Sequence, residues 1–147
     1  VINVMQRLSN LIRPTKIFMG KKDFQQLFLI KKYLKYNQKL KIVSCKTIRN
    51  NNKVALSSRN LLLSRKDLII AGKIAKNLIN FKKRFKQKEN LKKRILTKKN
   101  ELKKIYDIQI EYLELRNKDN LLITNKIKKS KLFLAYYINK VRLIDNF

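Results

Sequence analysis

The sequence predicts an α/β fold in two parts: a βαβ stretch through residue 47, then a small α/β unit from residue 48 built of helices on a short, mainly antiparallel sheet. Three observations predict it. Short apolar runs at residues 16–19 and 40–45 flank a helical pattern; a Ser-x-x-acid signal opens a second helical stretch; and apolar residues alternate with polar ones near residues 108–112 and again at the end of the chain.

Taken in order, Val4, Met5, Leu8, Leu11 and Ile12 recur at helical spacing, and Pro14 follows as expected beyond a helix end. Lys16-Ile17-Phe18-Met19 is a short strand stopped by Gly20. Asp23 then precedes a helix with Phe24, Leu27, Phe28 and Leu34 on one side. After Asn37, Leu40-Lys41-Ile42-Val43-Ser44-Cys45 is β-branched enough for a second, buried strand. The two strands and their helix make a βαβ unit with a right-handed crossover. Residues 49–53 are polar, with three consecutive Asn, and mark a loop near the division between the two parts.

Ser64 and Asp67 have capping-box spacing, so a helix starts at about Arg65 and carries Ile69, Ile70, Ile74 and Leu78. A lysine-rich helix is predicted from about Gln87 to Tyr106, marginal in isolation because so much of it is charged. Ile108, Ile110 and Tyr112 alternate with Gln109 and Glu111 as a half-exposed strand. Residues 132–138 turn at Asn139-Lys140 into 141–144 as a hairpin.

A chain of 147 residues supports one ordinary domain or two small ones. Its 44% hydrophobic content excludes a disordered tail despite a net charge of +29. Thirty-eight Lys and Arg against nine acids raise a basic nucleic-acid-binding module as one reading. The lysines are spread from Lys16 to Lys140, however, and are mixed with Asn and Ile. This is the pattern of a solvated face and an AT-rich coding sequence, and no specific nucleic acid is expected. One Cys and no His leave no internal disulfide and no Cys/His metal cluster, which points to a reducing, cytoplasmic setting. No run approaches the ~20 apolar residues of a membrane span. Residues 1–5 lack the basic start and apolar core of a signal peptide, and a chain beginning at Val1 reads as one that begins mid-domain.

Two segments carry candidate chemistry. Gly20-Lys21-Lys22-Asp23 lies between a strand and a helix, where backbone N–H groups and the helix dipole favour a phosphate; Lys22 would reach it and Asp23 would hold ribose hydroxyls. The same residues also read as a Gly turn with an Asp N-cap. Leu56-Ser57-Ser58-Arg59-Asn60 gathers two hydroxyls and a guanidinium suited to polyphosphate oxygens, or a turn with surface caps.

Taken together, the motifs resemble the second half of the pantothenate synthetases (pantoate–β-alanine ligases). Gly20-Lys21-Lys22-Asp23-Phe24-Gln25-Gln26-Leu27 is similar to the family's G-E-K-D-[YFW]-Q-Q-L, and Ala55-Leu56-Ser57-Ser58-Arg59-Asn60 to its A-[LM]-S-S-R-N. Tyr112-Leu113-Glu114-Leu115 resembles its late strand and Arg142-Leu143-Ile144-Asp145-Asn146 its terminal R-L-I-D-N. The resemblance implies an incomplete Rossmann-like nucleotide-binding domain through Thr47, followed by the small domain that carries the Ser-Ser-Arg loop. Because partner strands are missing, exposed apolar edges and a tendency to aggregate or pair are expected.

The implied activity is ATP-dependent joining of pantoate to β-alanine through a pantoyl-adenylate, with Mg²⁺ present, in a homodimer when full-length. It implies ATP contacts at Gly20, Lys21, Lys22, Asp23, Ile48, Leu56, Ser57, Ser58 and Arg59, and pantoate at Gln26. Lys22 and Arg59 act on the phosphates, and Ile48 offers its backbone to adenine. Ser57, Ser58 and Arg59 are the counterpart of the KMSKS loop of related nucleotidyltransferases. No protein nucleophile or protein-held metal is needed.

The chain departs from the family pattern at Lys21 (usually Glu), Lys46 (Pro), Asn50 (an acid) and Lys53 (Gly), and it lacks the family's histidine-bearing motif altogether. A truncated ligase is the main reading, with a non-catalytic remnant of the same family as the alternative.

Overall fold

The computed structural model describes residues 1–34, 40–86 and 89–147. The chain divides into two compact units, Val1–Thr47 and Ile48–Phe147.

In the first unit, helix α1 (Ile2–Ile12) ends at Arg13, whose N–H donates to the Ser9 carbonyl and whose left-handed backbone (φ 50°) turns the chain out of the helix. Strand β1 (Lys16–Gly20) pairs in parallel with β2 (Lys41–Cys45), from Lys16 opposite Lys41 to Gly20 opposite Cys45. Between them run a one-turn 3-10 helix, Lys21–Asp23, and helix α2 (Phe24–Tyr33). The predicted apolar face of α2 is corrected in part. Leu27, Ile30 and Leu34 are buried, whereas Phe24 and Phe28 are only half-buried. The spacing 27, 30, 34 follows one stripe of the helix, and Phe24 sits too near its first turn to complete it. The predicted boundary at Asn37 lies outside the described residues.

The apolar face of α1 is real in sequence, yet Val4, Leu8, Leu11 and Ile12 are exposed. So is Phe18, on the two-stranded sheet, at 66%. The first unit therefore has a thin core.

The second unit opens with a tight turn. Arg49 and Ala55 bridge in antiparallel fashion, the Asn50 N–H donates to the Val54 carbonyl, and the Lys53 N–H donates to that of Asn50. Helix α3 (Arg65–Lys83) begins at a complete capping box: the Ser64 hydroxyl accepts from the Asp67 N–H, and the Asp67 carboxylate accepts from the Ser64 N–H. Helix α4 (Leu91–Tyr106) starts at Asn90, whose side chain accepts from the Lys93 N–H. The start predicted at Gln87 lies outside the described residues. Lys92, Lys93, Lys103 and Lys104 face water while Leu91, Ile95 and Leu102 are buried, so tertiary burial holds a helix that is weak alone.

The sheet runs β3 (Gln109–Asn117), β4 (Ser130–Ile138) and β5 (Val141–Asn146), antiparallel in that order. The predicted alternation through Tyr112 is corrected: the register shifts between Ile110 and Tyr112, so Ile110, Leu113 and Leu115 are buried and Tyr112 is not. An extra residue at Glu111 changes which side chains face inward. The two-residue connection Asn139-Lys140 closes the hairpin, with Asn139 left-handed (φ 52°). The core joins α3, α4 and the sheet through Ile74, Leu78, Leu102, Leu115, Leu132 and Leu134. The observed class is thus mixed α/β, with one parallel pair and one three-stranded antiparallel sheet.

Candidate functional site

The predicted site residues fall in both units. In the first, Gly20 ends β1 with φ −70° and ψ 135°, a conformation open to any residue. Nothing in the fold itself demands glycine there, since a Cβ built at Gly20 meets nothing within 4 Å and the space beside the backbone is open. Backbone approach by a ligand is the use such an opening permits. Lys21, Lys22 and Asp23 form the single 3-10 turn that follows.

Asp23 is the N-cap residue of α2 by position, yet its side chain makes no capping hydrogen bond. The simple capping role therefore does not account for it. The carboxylate is half-exposed and lies 3.8 Å from Lys22 Nζ, a long contact that holds both groups at one surface. Gln26, half-buried, stands one helical turn beyond Lys22. Gly20, Lys21, Lys22, Asp23 and Gln26 are thus gathered at the junction of β1 and α2.

In the second unit, Ile48 and Leu56 face each other across the turn, with the Leu56 N–H donating to the Ile48 carbonyl at 3.0 Å. One lone pair of that carbonyl is engaged, and the Ile48 side chain is 70% exposed. Ser57 caps a short 3-10 helix, Ser58–Leu62, with its hydroxyl accepting from the Arg59 N–H at 3.3 Å. Ser58 and Arg59 are exposed. The Arg59 guanidinium donates once, at 3.3 Å, to the Arg142 carbonyl. Exposed Ser58 and Arg59 thus present a hydroxyl and a guanidinium on one short turn, a pair able to contact polyphosphate oxygens.

Lys53, where the family pattern has Gly, adopts φ 70°. The left-handed turn is kept without the residue that makes it easy.

Sequence reasoning gave no role to Arg49, Asn60, Gly72 or Asp145. Arg49 forks onto Asp145, Nη1 to Oδ2 at 2.7 Å and Nη2 to Oδ1 at 2.8 Å. Asn60 Nδ2 donates to the Ala55 carbonyl at 3.1 Å. Arg142 forks onto Glu111 at 2.7 and 3.0 Å, and this hydrogen bonding, ahead of simple charge attraction, holds the Glu111 carboxyl below its ordinary range. The available signal was an acid, Asp145, following the apolar pair Leu143-Ile144 in the last strand, since a buried carboxylate requires a cation.

Among the described residues no group of three or more His, Cys, Asp or Glu could hold a metal ion, and no helix is long and apolar enough to cross a membrane. Cys45 is a free, exposed thiol.

A family model described as "Pantoate-beta-alanine ligase" matches residues 1–147. The pantothenate synthetase of Flavobacterium psychrophilum is 35% identical over 147 residues, covering 97% of this chain and 52% of that protein. The pantothenate synthetase of Endomicrobium trichonymphae is 40% identical over 148 residues, covering 99% of this chain and 52% of that protein. Among solved structures, pantothenate synthetase from Thermus thermophilus superposes with a TM-score of 0.86 at 25% identity, over 98% of this chain and 53% of that one. Pantoate-beta-alanine ligase from Francisella tularensis, complexed with beta-gamma ATP and beta-alanine, gives a TM-score of 0.72 at 33% identity, over 99% of this chain and 48% of that one. The chain spans about half the length of the curated relatives it matches.

Proposed function

This chain belongs to the pantoate-β-alanine ligase family, and we propose that it carries part of the active site of an enzyme that condenses pantoate with β-alanine at the expense of ATP. In the first step a pantoate carboxylate oxygen attacks the α-phosphorus of ATP. The bond to the bridging oxygen breaks, giving pantoyl-adenylate and pyrophosphate. In the second step the β-alanine amine attacks the activated carbonyl carbon, loses a proton, and expels AMP.

The chemistry requires positive charge and hydrogen-bond donors where negative charge collects, and no covalent enzyme intermediate. Lys22 meets the phosphates, Asp23 the ribose hydroxyls and Gln26 the pantoate, while the open space at Gly20 lets backbone approach the nucleotide. Lys21, on the same turn, adds positive charge. Ile48 and Leu56 flank the adenine. Ser57, Ser58 and Arg59 take up the charge of the departing pyrophosphate. Mg²⁺ would arrive on ATP, held mainly by phosphate oxygens, as this small ion usually is. The rest of the site would come from the rest of the length that the relatives have, and the complete protein would be a homodimer.

The observation that carries this reading is the family match over residues 1–147, with the motif residues Lys22, Asp23, Gln26, Ser57, Ser58 and Arg59 all retained. A version completed to the relatives' full length is expected to form AMP only when given pantoate, β-alanine and ATP together with Mg²⁺. No AMP from a folded, complete version would overturn the reading in favour of a non-catalytic member of the family.

A further inference from the structure

We infer that Arg49 and Asp145 are positioning residues for the Ser57-Ser58-Arg59 turn, an inference that rests on the role proposed for that turn. Asp145 lies near the end of β5 and is only 9% exposed, so its charge requires a partner. Arg49 supplies it with a two-pronged contact and spends two further donors on backbone: Nη1 to the Lys53 carbonyl at 2.9 Å and Nη2 to the Asn146 carbonyl at 3.3 Å. Its guanidinium also lies over the Phe147 ring, 5.1 Å from the centroid.

The Lys53 contact turns an ion pair into a device for shaping the loop. Residue 53 is in the left-handed region, where a non-glycine residue costs about 1–2 kcal/mol, so the turn needs an outside hold. Arg49 provides that hold by tying the Lys53 carbonyl to the sheet. The turn in turn fixes Ala55, whose carbonyl accepts from Asn60 Nδ2 and so closes the far side of the Ser57–Arg59 segment. The chain of contacts therefore runs from the sheet, through Asp145, Arg49 and the 50–53 turn, to the residues assigned to pyrophosphate. With four of its N–H groups engaged, Arg49 is poorly placed to bind phosphate itself, whereas Arg59, exposed and with a single 3.3 Å contact, has donors to spare.

The test uses this chain with inorganic pyrophosphate as the probe, followed by backbone amide NMR, with amide exchange measured in parallel. Two single variants, Arg49→Lys and Asp145→Asn, each break the fork. The paired replacement Arg49→Met with Asp145→Leu removes both charges together, leaves no orphaned buried charge and so protects the fold. The expected result is exchange at residues 53–60 rising by about tenfold, with α3 and β4 unchanged, and pyrophosphate binding weakened by about fivefold or more. Arg49→Lys, which keeps the charge, is expected not to rescue either property, because a lysine cannot make the fork.

Exchange that rises evenly through Ile48–Phe147, or not at all at residues 53–60, overturns the inference. So does pyrophosphate binding of equal strength in the wild type and the paired variant, an outcome that leaves the proposed function standing. Failure of pyrophosphate to shift the Ser57, Ser58 and Arg59 amides of the wild type removes the turn's proposed role and the inference with it.

Discussion

Gly72, on helix α3, leaves room for Asn52: a Cβ at residue 72 would stand 2.9 Å from both the Asn52 Cβ and the Asn52 carbonyl oxygen. Both approaches are too short for real atoms, and one is to backbone, which cannot swing aside. Gly72 is therefore the residue that lets the 50–53 turn lie against the helix. Alanine is favoured over glycine in a helix interior by about 1 kcal/mol, but overpacking costs about 1–3 kcal/mol. Gly72→Ala is expected to lower stability by up to about 2 kcal/mol on balance. Urea unfolding of unit Ile48–Phe147 measures it, and Asn52→Gly in the same chain should recover part of the loss.

The opposite sign is expected one residue further on. Lys53 holds φ 70° without being glycine. Relief of left-handed strain, about 1–2 kcal/mol, exceeds the roughly 0.4–1 kcal/mol by which glycine's freedom favours the unfolded chain. Lys53→Gly should stabilise by about 1 kcal/mol, whereas Lys53→Ala should bring no gain. Thermal melts of the two variants side by side distinguish backbone relief from mere loss of a lysine.

Legibility in the sequence followed the range of the interaction. The start of helix α3 was readable because it is set by Ser64 and Asp67, three positions apart, and the parallel pair was readable from two short β-rich runs, although the second, β2, is half-exposed and not buried as predicted. The bulge at Glu111 was not, since a register shift exists only relative to the facing strand. Arg49 and Asp145 lie 96 positions apart, and nothing local to either names the other. The first half of the candidate site is a compact run from Gly20 to Gln26 and could be read directly. In the second half Ser57 to Arg59 could be read, but what braces them could not. The burial of Ile30 in place of Phe24 shows a smaller version of the same limit, because the apolar face of a helix is decided by what covers it.

Alkaline pH offers a third test. Burial, and after it the charge of Asp145, pushes the Tyr136 phenol well above its ordinary value; burial is also the main cause of the smaller upward shift of Tyr112. An unfolded tyrosine ionises near about pH 10, so above that pH the unfolded chain releases protons that the folded chain retains. The contribution of these groups is thus intact below about pH 10 and is lost as pH rises from there toward the folded values. Urea midpoints should fall steeply above about pH 10, and Tyr136→Phe should flatten that fall. An unchanged slope in Tyr136→Phe would show that its phenol ionises as freely in the folded chain.

The thin core of Val1–Thr47 predicts unequal stability. Among the described residues its buried apolar side chains are Leu27, Ile30 and Leu34, while Leu11 (81%) and Phe18 stay exposed. The second unit buries a continuous cluster from Val54 to Leu143. Amides of α2 and β2 should therefore exchange at lower urea than those of α3 and β4. Leu11→Lys with Phe18→Lys should reduce concentration-dependent association, read by sedimentation, without lowering the unfolding midpoint of the second unit.

Arg59 separates catalysis from stability most cleanly. Its one long hydrogen bond, to the Arg142 carbonyl, is exposed, so its loss should change stability by less than about 0.5 kcal/mol. In the proposed reaction, by contrast, its guanidinium faces charge that grows as pyrophosphate departs, and removing one such donor costs about 10²–10³ in kcat. Arg59→Ala in a version completed to full length should therefore lower kcat by about that factor, move KM for ATP far less, and leave the thermal midpoint in place. Arg59→Lys should recover only part of the rate, because an ammonium offers a point charge without the planar fork. A variant with normal kcat would take the Ser57-Ser58-Arg59 turn out of the chemical step, and a variant that fails through unfolding would contradict the exposed, lightly bonded position that the guanidinium occupies.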